Sequence, residues 1–193
     1  MREMISMIVV LTVLTVVSGG LLAAVKSGTE VQIENQILKF QKAPAIESIF
    51  PDAANDILTD RFTVKTDDME LQVFPTQLSD GSKAIAFETK GSGYGGPVGL
   101  MVGVNIDKDK ITDVRVTTHA ETPGIGTKAK EDLSFVSQFT GRAMDTNFNL
   151  KGRGGVIDAI SGATITSNAV SIAAVKAKEI YEKLKPEIVK QVK

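Results

Sequence analysis

The residues best suited to chemistry lie in Asp158-Ala159-Ile160-Ser161-Gly162-Ala163-Thr164-Ile165-Thr166-Ser167, just before a helix-patterned run. This composition suits an anion. Gly162 and Ala163 let a ligand approach the backbone, and the N–H groups and dipole of a helix start favour a phosphate. Thr164, Thr166 and Ser167 add hydroxyl donors, each of which is also a covalent attachment point. Small residues and hydroxyls ahead of a helix also make an ordinary N-cap. On residue chemistry alone both readings stand.

Two further stretches carry polar or ring-facing groups. Thr117-Thr118-His119-Ala120-Glu121-Thr122-Pro123-Gly124-Ile125-Gly126-Thr127-Lys128 follows a strand pattern and reads as a loop at a strand end, where binding groups concentrate. Neither His119 nor Glu121 is informative by itself. The run Gly91-Ser92-Gly93-Tyr94-Gly95-Gly96-Pro97-Val98-Gly99 holds five glycines in nine residues. It is either a strand connection or a backbone that approaches a ligand, with Tyr94 offering a face to a flat ring.

Composition narrows the chemistry. Among 193 residues there is no Cys and one His. Disulfides, iron–sulfur ligation, thiolate nucleophiles, covalent c-type haem and a His-rich metal site are excluded. No metal site and no catalytic side chain of its own are read from the chain. A net charge of −1 gives no basis for nucleic-acid binding. Any redox function must come from a bound organic cofactor.

These residues have to be positioned by the rest of the chain. Met4 to Val25 is 22 residues without a charge. As a helix it reaches about 33 Å, enough to cross a bilayer core; a cleaved signal peptide is the alternative. Residues 1–26 therefore read as a transmembrane anchor in contact with membrane lipid. Residues 27–60 read as a juxtamembrane stalk that Pro44 interrupts, and 61–193 as the folded domain. Strands are expected over Leu71–Phe74, Ala84–Lys90, Val98–Ile106 (one face buried) and Ile111–Thr118, with turns at Ser79–Ser82 and Asp107–Lys110. Lys130–Phe139 reads as a helix with Leu133, Val136 and Phe139 inward, and Thr146–Leu150 as a strand. Lys151–Gly155 reads as a turn. Asn168–Lys185 reads as an amphipathic helix, followed by an exposed tail from Glu187. The fold class is α+β, with an antiparallel sheet.

Ser161-Gly162-Ala163-Thr164 with Asp158 three residues upstream resembles the flavinylation motif of the FMN-binding domain family. Glu121-Thr122-Pro123-Gly124-Ile125-Gly126, about 35 residues earlier, resembles a second signature of that family. The resemblance implies FMN, one per chain. It would be joined through its phosphate to Thr164 by a dedicated flavin transferase, with Thr166 as the fallback bearer. Ser161, Gly162, Ala163 and Ile165 would surround the attachment. Glu121, Thr122, Gly124 and Gly126, with His119, would line the ring pocket, and Tyr94 and Gly95 would stand where the family has a glycine-rich loop with an aromatic residue. Asp158 is either a recognition element for the transferase or a turn residue. The form resembled most is the G-type member of Rnf-type ion-translocating ferredoxin:NAD oxidoreductases. That implies other membrane subunits as partners, coupling to Na+ or H+, and a single-pass protein of the cytoplasmic membrane with its domain outside. A freestanding flavinylated shuttle or reductase module is the alternative, as is a non-redox anchored scaffold.

Overall fold

The structure is a computed structural model and describes residues 2–53, 55–66 and 69–192. The chain divides into two units, residues 1–40 and 41–193. The first is helix α1 (Arg2–Ile37), whose residues are unburied. It is long and apolar enough to cross a membrane. A π-helical turn at Leu38–Lys42 leads to α2 (Ala43–Ile49). Pro44 does not interrupt the helix as expected. It follows on the π-helical turn, at the point where the helix passes from one hydrogen-bond pattern to the next.

The second unit starts inside the segment read as stalk, because Ala43, Ile46, Ile49 and Phe50 are buried. Its centre is a five-stranded antiparallel meander, in spatial order β1 (Phe62–Thr66), β2 (Met69–Gln77), β3 (Lys83–Ser92), β4 (Pro97–Asn105) and β5 (Lys110–Val116). Strand β1 is not foreseen by the sequence pattern; five residues, with Val64 buried, give too short an alternation. Strand β2 continues through Pro75, which lies past the last residue paired to β1, so its missing N–H breaks no ladder on that side. Strand β4 is buried on both faces rather than one. Val98, Leu100, Val102 and Val104 join the main core. The intervening positions pack the opposite face, where a Cβ on Gly103 would lie 2.3 Å from Ile49 Cγ2.

The helix expected over Lys130–Phe139 is two short ones, α3 (Lys128–Glu131) and α4 (Leu133–Ser137). Asp132 is extended between them, and its carboxylate accepts the Ser134 N–H at 2.9 Å, which caps α4 and breaks the run. Leu133 is consequently exposed at 61%, while Val136 and Phe139 are buried. Thr146–Leu150 is not a strand; Leu150 makes one isolated bridge to Ile157. Helix α5 (Thr164–Gln191) begins four residues earlier than expected and runs through Pro186. The expected exposed tail is tied down, with Ile188 and Val192 buried. Helix α5 crosses β3 at Gly91, where a Cβ would stand 1.9 Å from the Ala169 carbonyl oxygen. This contact fixes the height of α5, and so of its first turn, over the sheet.

Candidate functional site

Three chain segments meet at the start of α5. The first is the β3–β4 hairpin, closed by Gly93 N–H donating to Gly96 C=O at 2.9 Å, with Tyr94 at its tip. The glycine run is therefore a strand connection, and it also projects an aromatic ring that is 76% exposed. The second is the loop after β5. Gly99 of β4 exchanges hydrogen bonds with Thr117 and Thr118 at its base. The Thr122 carbonyl accepts the Gly126 N–H at 2.9 Å, and Gly124 takes φ +75°, a left-handed conformation that glycine adopts without strain. The third is the first turn of α5 itself.

Together they line a cleft of about 370 Å³. Tyr94, Glu121, Thr122, Gly126, Gly162, Ala163, Thr164, Ile165 and Thr166, all singled out from the sequence, contribute to its wall, as does Ile125, which was not. Ile125 lies between two signature glycines; its exposure as a loop apolar residue was the available signal. Ser161, Gly95, His119 and Gly124 are not part of the wall. Gly95 acts one step back, donating its N–H to Glu121 Oε1 at 2.9 Å. His119 is half-buried, with Nδ1 shielded and unpaired among the described residues.

Glu121 knots the three segments. Only 6% of it is exposed. Oε1 accepts from Gly95 of the hairpin, and Oε2 accepts from the Thr166 hydroxyl of α5. The glycines around it are required by close approach: a Cβ on Gly93 would meet Oε1 at 2.4 Å, and one on Gly126 would meet Glu121 Cβ at 2.6 Å. Further back, Glu88 of β3 accepts from the Thr117 hydroxyl and pairs with Lys42 at 3.0 Å.

The hydroxyls of the motif fall into different environments. Thr166 is 3% exposed and bonded to Glu121. Ser167 is fully buried; its Oγ donates to Ala163 C=O at 2.9 Å and accepts the Ile160 N–H at 3.0 Å. Thr164 is exposed, and its hydroxyl has no protein partner among the described residues. No side chain caps α5, so the first-turn amides that a helix cannot satisfy internally stay available. Thr164 also lines a second cleft of about 350 Å³, with Lys151, Arg153 and Asp158. There Lys151 Nζ pairs with Asp158 at 2.6 Å, both groups being largely exposed. Thr164 thus stands on the ridge between an apolar-rimmed cleft and a cationic one.

Comparison with known proteins identifies the family. The FMN-binding domain family matches residues 93–179, which contain the hairpin tip at Tyr94, the loop after β5 and the start of α5. The G-type member of the ion-translocating oxidoreductase complex of Cronobacter sakazakii is 32% identical over 191 residues, covering 93% of this chain and 91% of its own length. The corresponding protein of Salmonella typhi is 34% identical over 88% of this chain and 86% of its own length, and that of Methanosarcina acetivorans 30% over 88% and 89%. Among solved structures, the NqrC-type component of the Na+-translocating NADH-quinone reductase of Parabacteroides distasonis superposes with a TM-score of 0.51 at 25% identity over 67% of each chain. Similarity over nine-tenths of the length places this chain in the G-type family of ion-translocating oxidoreductase complex subunits, with an FMN-binding domain over residues 93–179.

Proposed function

We propose that this chain is an electron-transfer subunit of a membrane-bound ion-translocating oxidoreductase complex and carries FMN bound covalently to Thr164 by a phosphodiester. The observation that carries the reading is the contrast between two threonines lining one cleft. The Thr164 hydroxyl is exposed and unpaired, whereas that of Thr166 is buried and held by Glu121. The residues present fit the cofactor. Exposed Tyr94, Ile125 and Ile165 give an apolar rim for a flat ring. The uncapped helix start favours the single negative charge that a phosphodiester retains. When bound, FMN supplies one- and two-electron redox chemistry that no side chain here provides.

Attachment is a transfer reaction carried out by a separate flavin transferase. The Thr164 Oγ–phosphorus bond forms as the pyrophosphate bond of an activated flavin donor, such as flavin adenine dinucleotide, breaks. Adenylate leaves, and the hydroxyl proton passes to a base of the transferase. The chain's own residues hold the product in place: Glu121 and its glycines keep the cleft walls together, and Thr166 stays out of reach. Helix α1 anchors the unit in the lipid of the cytoplasmic membrane, amino terminus inside and domain outside. There the cofactor exchanges electrons with neighbouring subunits of an Rnf-type complex driving Na+ or H+.

Peptide mass spectrometry of the protein from its native membrane tests this. The expected result is a gain of one FMN less one water on the peptide holding Thr164, localised by fragmentation, and its absence in Thr164→Val. An unmodified peptide from cells with active transferase, or a modification on Thr166, refutes the reading.

A further inference from the structure

We propose that Gln138 and Ser167 are positioning residues that hold the loop 158–163 in the shape in which Thr164 is presented to the flavin transferase. This rests on attachment at Thr164. Neither side chain reaches the cleft wall, and each grips the motif's backbone at two points.

Gln138 ends α4. Its side-chain amide pairs with Asp158 as a neighbouring strand would: the Asp158 N–H donates to Oε1 at 2.8 Å, and Nε2 donates to the Asp158 C=O at 3.2 Å. Gln138 is itself tethered through its carbonyl, which accepts from Arg142 Nε. Ser167 grips the other end. Its Oγ accepts the Ile160 N–H at 3.0 Å and donates to the Ala163 C=O at 2.9 Å, which also receives the Ser167 N–H. Between these feet the Ala163 N–H closes a turn on the Ile160 C=O at 3.0 Å, with Gly162 at φ +79°. Ser161, Gly162 and Thr164 stay exposed, as do Asp158, Ala159 and Ile165, while Ala163 is buried.

Backbone groups at Asp158, Ile160 and Ala163 are thus satisfied by two side chains from different elements, while the exposed hydroxyls of Ser161 and Thr164 take no part in holding the loop; the exposed Asp158 carboxylate adds only its surface pair with Lys151. Phosphoryl transfer needs the attacking oxygen in line with the phosphorus, and a substrate already in that geometry loses less conformational freedom when the enzyme binds it. A loop released at one foot must be ordered again at each encounter. The cost falls on kcat/KM of flavin transfer, whatever the stability of the domain.

The test is the initial rate of flavin incorporation into the full-length, detergent-solubilised chain by purified transferase with flavin adenine dinucleotide, read by intact mass, with thermal unfolding measured alongside. Gln138→Ala and Ser167→Ala each remove two hydrogen bonds and are expected to lower kcat/KM by about thirtyfold, the equivalent of two bonds at about 1 kcal/mol net each. Gln138→Glu keeps the acceptor for the Asp158 N–H and is expected to recover part of the rate. If the buried Ser167→Ala change lowers the thermal midpoint, the part-exposed Gln138 pair decides. Gln138 variants modified within twofold of the wild-type rate, or faster because a loosened loop is the better substrate, overturn the inference. Wild-type chain that takes no flavin would instead refute attachment at Thr164.

Discussion

Gly91→Ala tests whether the sheet sets the position of helix α5, on which Thr164 stands. The added Cβ would stand 1.9 Å from the Ala169 carbonyl oxygen and 2.7 Å from its carbon. Ordinary contact begins near 3.4 Å, so α5 must retreat from β3 by about 1.5 Å. The obstacle is helix backbone, with no rotamer to yield. Overpacking of this kind costs about 2–3 kcal/mol. For a unit of this size that lowers the unfolding midpoint by about 5–10 °C. Ala169 lies about 7.5 Å along the helix from Thr164. The same retreat therefore strains the Thr166–Glu121 bond, and slower flavin incorporation should accompany the lost stability. The assay is thermal unfolding by circular dichroism together with incorporation measured by intact mass. Gly152→Ala is the control, because open space surrounds its Cβ position and its φ is not left-handed. A Gly91→Ala protein with an unchanged midpoint would refute the claim that this contact fixes the helix.

Other changes probe separate parts of the molecule. Lys185 and then the Tyr181 hydroxyl, bonded to Asp109 at 2.6 Å each, hold its carboxyl below the usual carboxylate range. A depressed folded-state pKa adds stability above the unfolded value of about 3.9 and loses it as pH falls through the folded value. Asp109→Asn should therefore destabilise at pH 7 and match the wild type at low pH; a gap independent of pH would contradict this. Lys42→Met leaves the mostly buried Glu88 with the Thr117 hydroxyl alone and should cost about 3 kcal/mol in urea unfolding, largely recovered in Lys42→Met/Glu88→Gln. Glu121→Ala releases the Gly95 N–H and the Thr166 hydroxyl and should cost about 2–4 kcal/mol, with Glu121→Gln restoring most of it; equal midpoints for the two variants would mean that the knot is not held by hydrogen bonds.

The site was legible where chemistry leaves a local trace. Glycines crowd where backbones meet Glu121, and Gly93 and Gly126 carry that signal in the sequence. The meander was legible in β3 to β5, where alternation runs long. What escaped depends on contacts distant in the chain. The burial of both faces of β4 needs α2, far upstream, packed on Gly103. The break at Asp132 needs a cap that helical periodicity does not display. The grip of Gln138 on Asp158 spans 20 residues with no motif to mark it.

The different exposure of Thr164 and Thr166 was within reach of the sequence. Successive residues turn about 100° around a helix axis, so positions two apart face nearly opposite ways. The buried stripe of α5 runs through Val170, Ala173, Ala174, Ala177, Tyr181, Leu184 and Ile188. Carried one turn toward the amino terminus from Val170 it reaches Thr166, and Thr164 then points to solvent. Starting the helix at Asn168 cut the stripe off just before the residues it would have separated. The helix starts at Thr164 because Ser167 bonds to Ala163, so a side chain read as a ligand donor is what begins the helix. One helical phase therefore does two things: it turns Thr166 inward to Glu121, closing the cleft, and it turns the Thr164 hydroxyl outward to solvent, the orientation the proposed attachment needs.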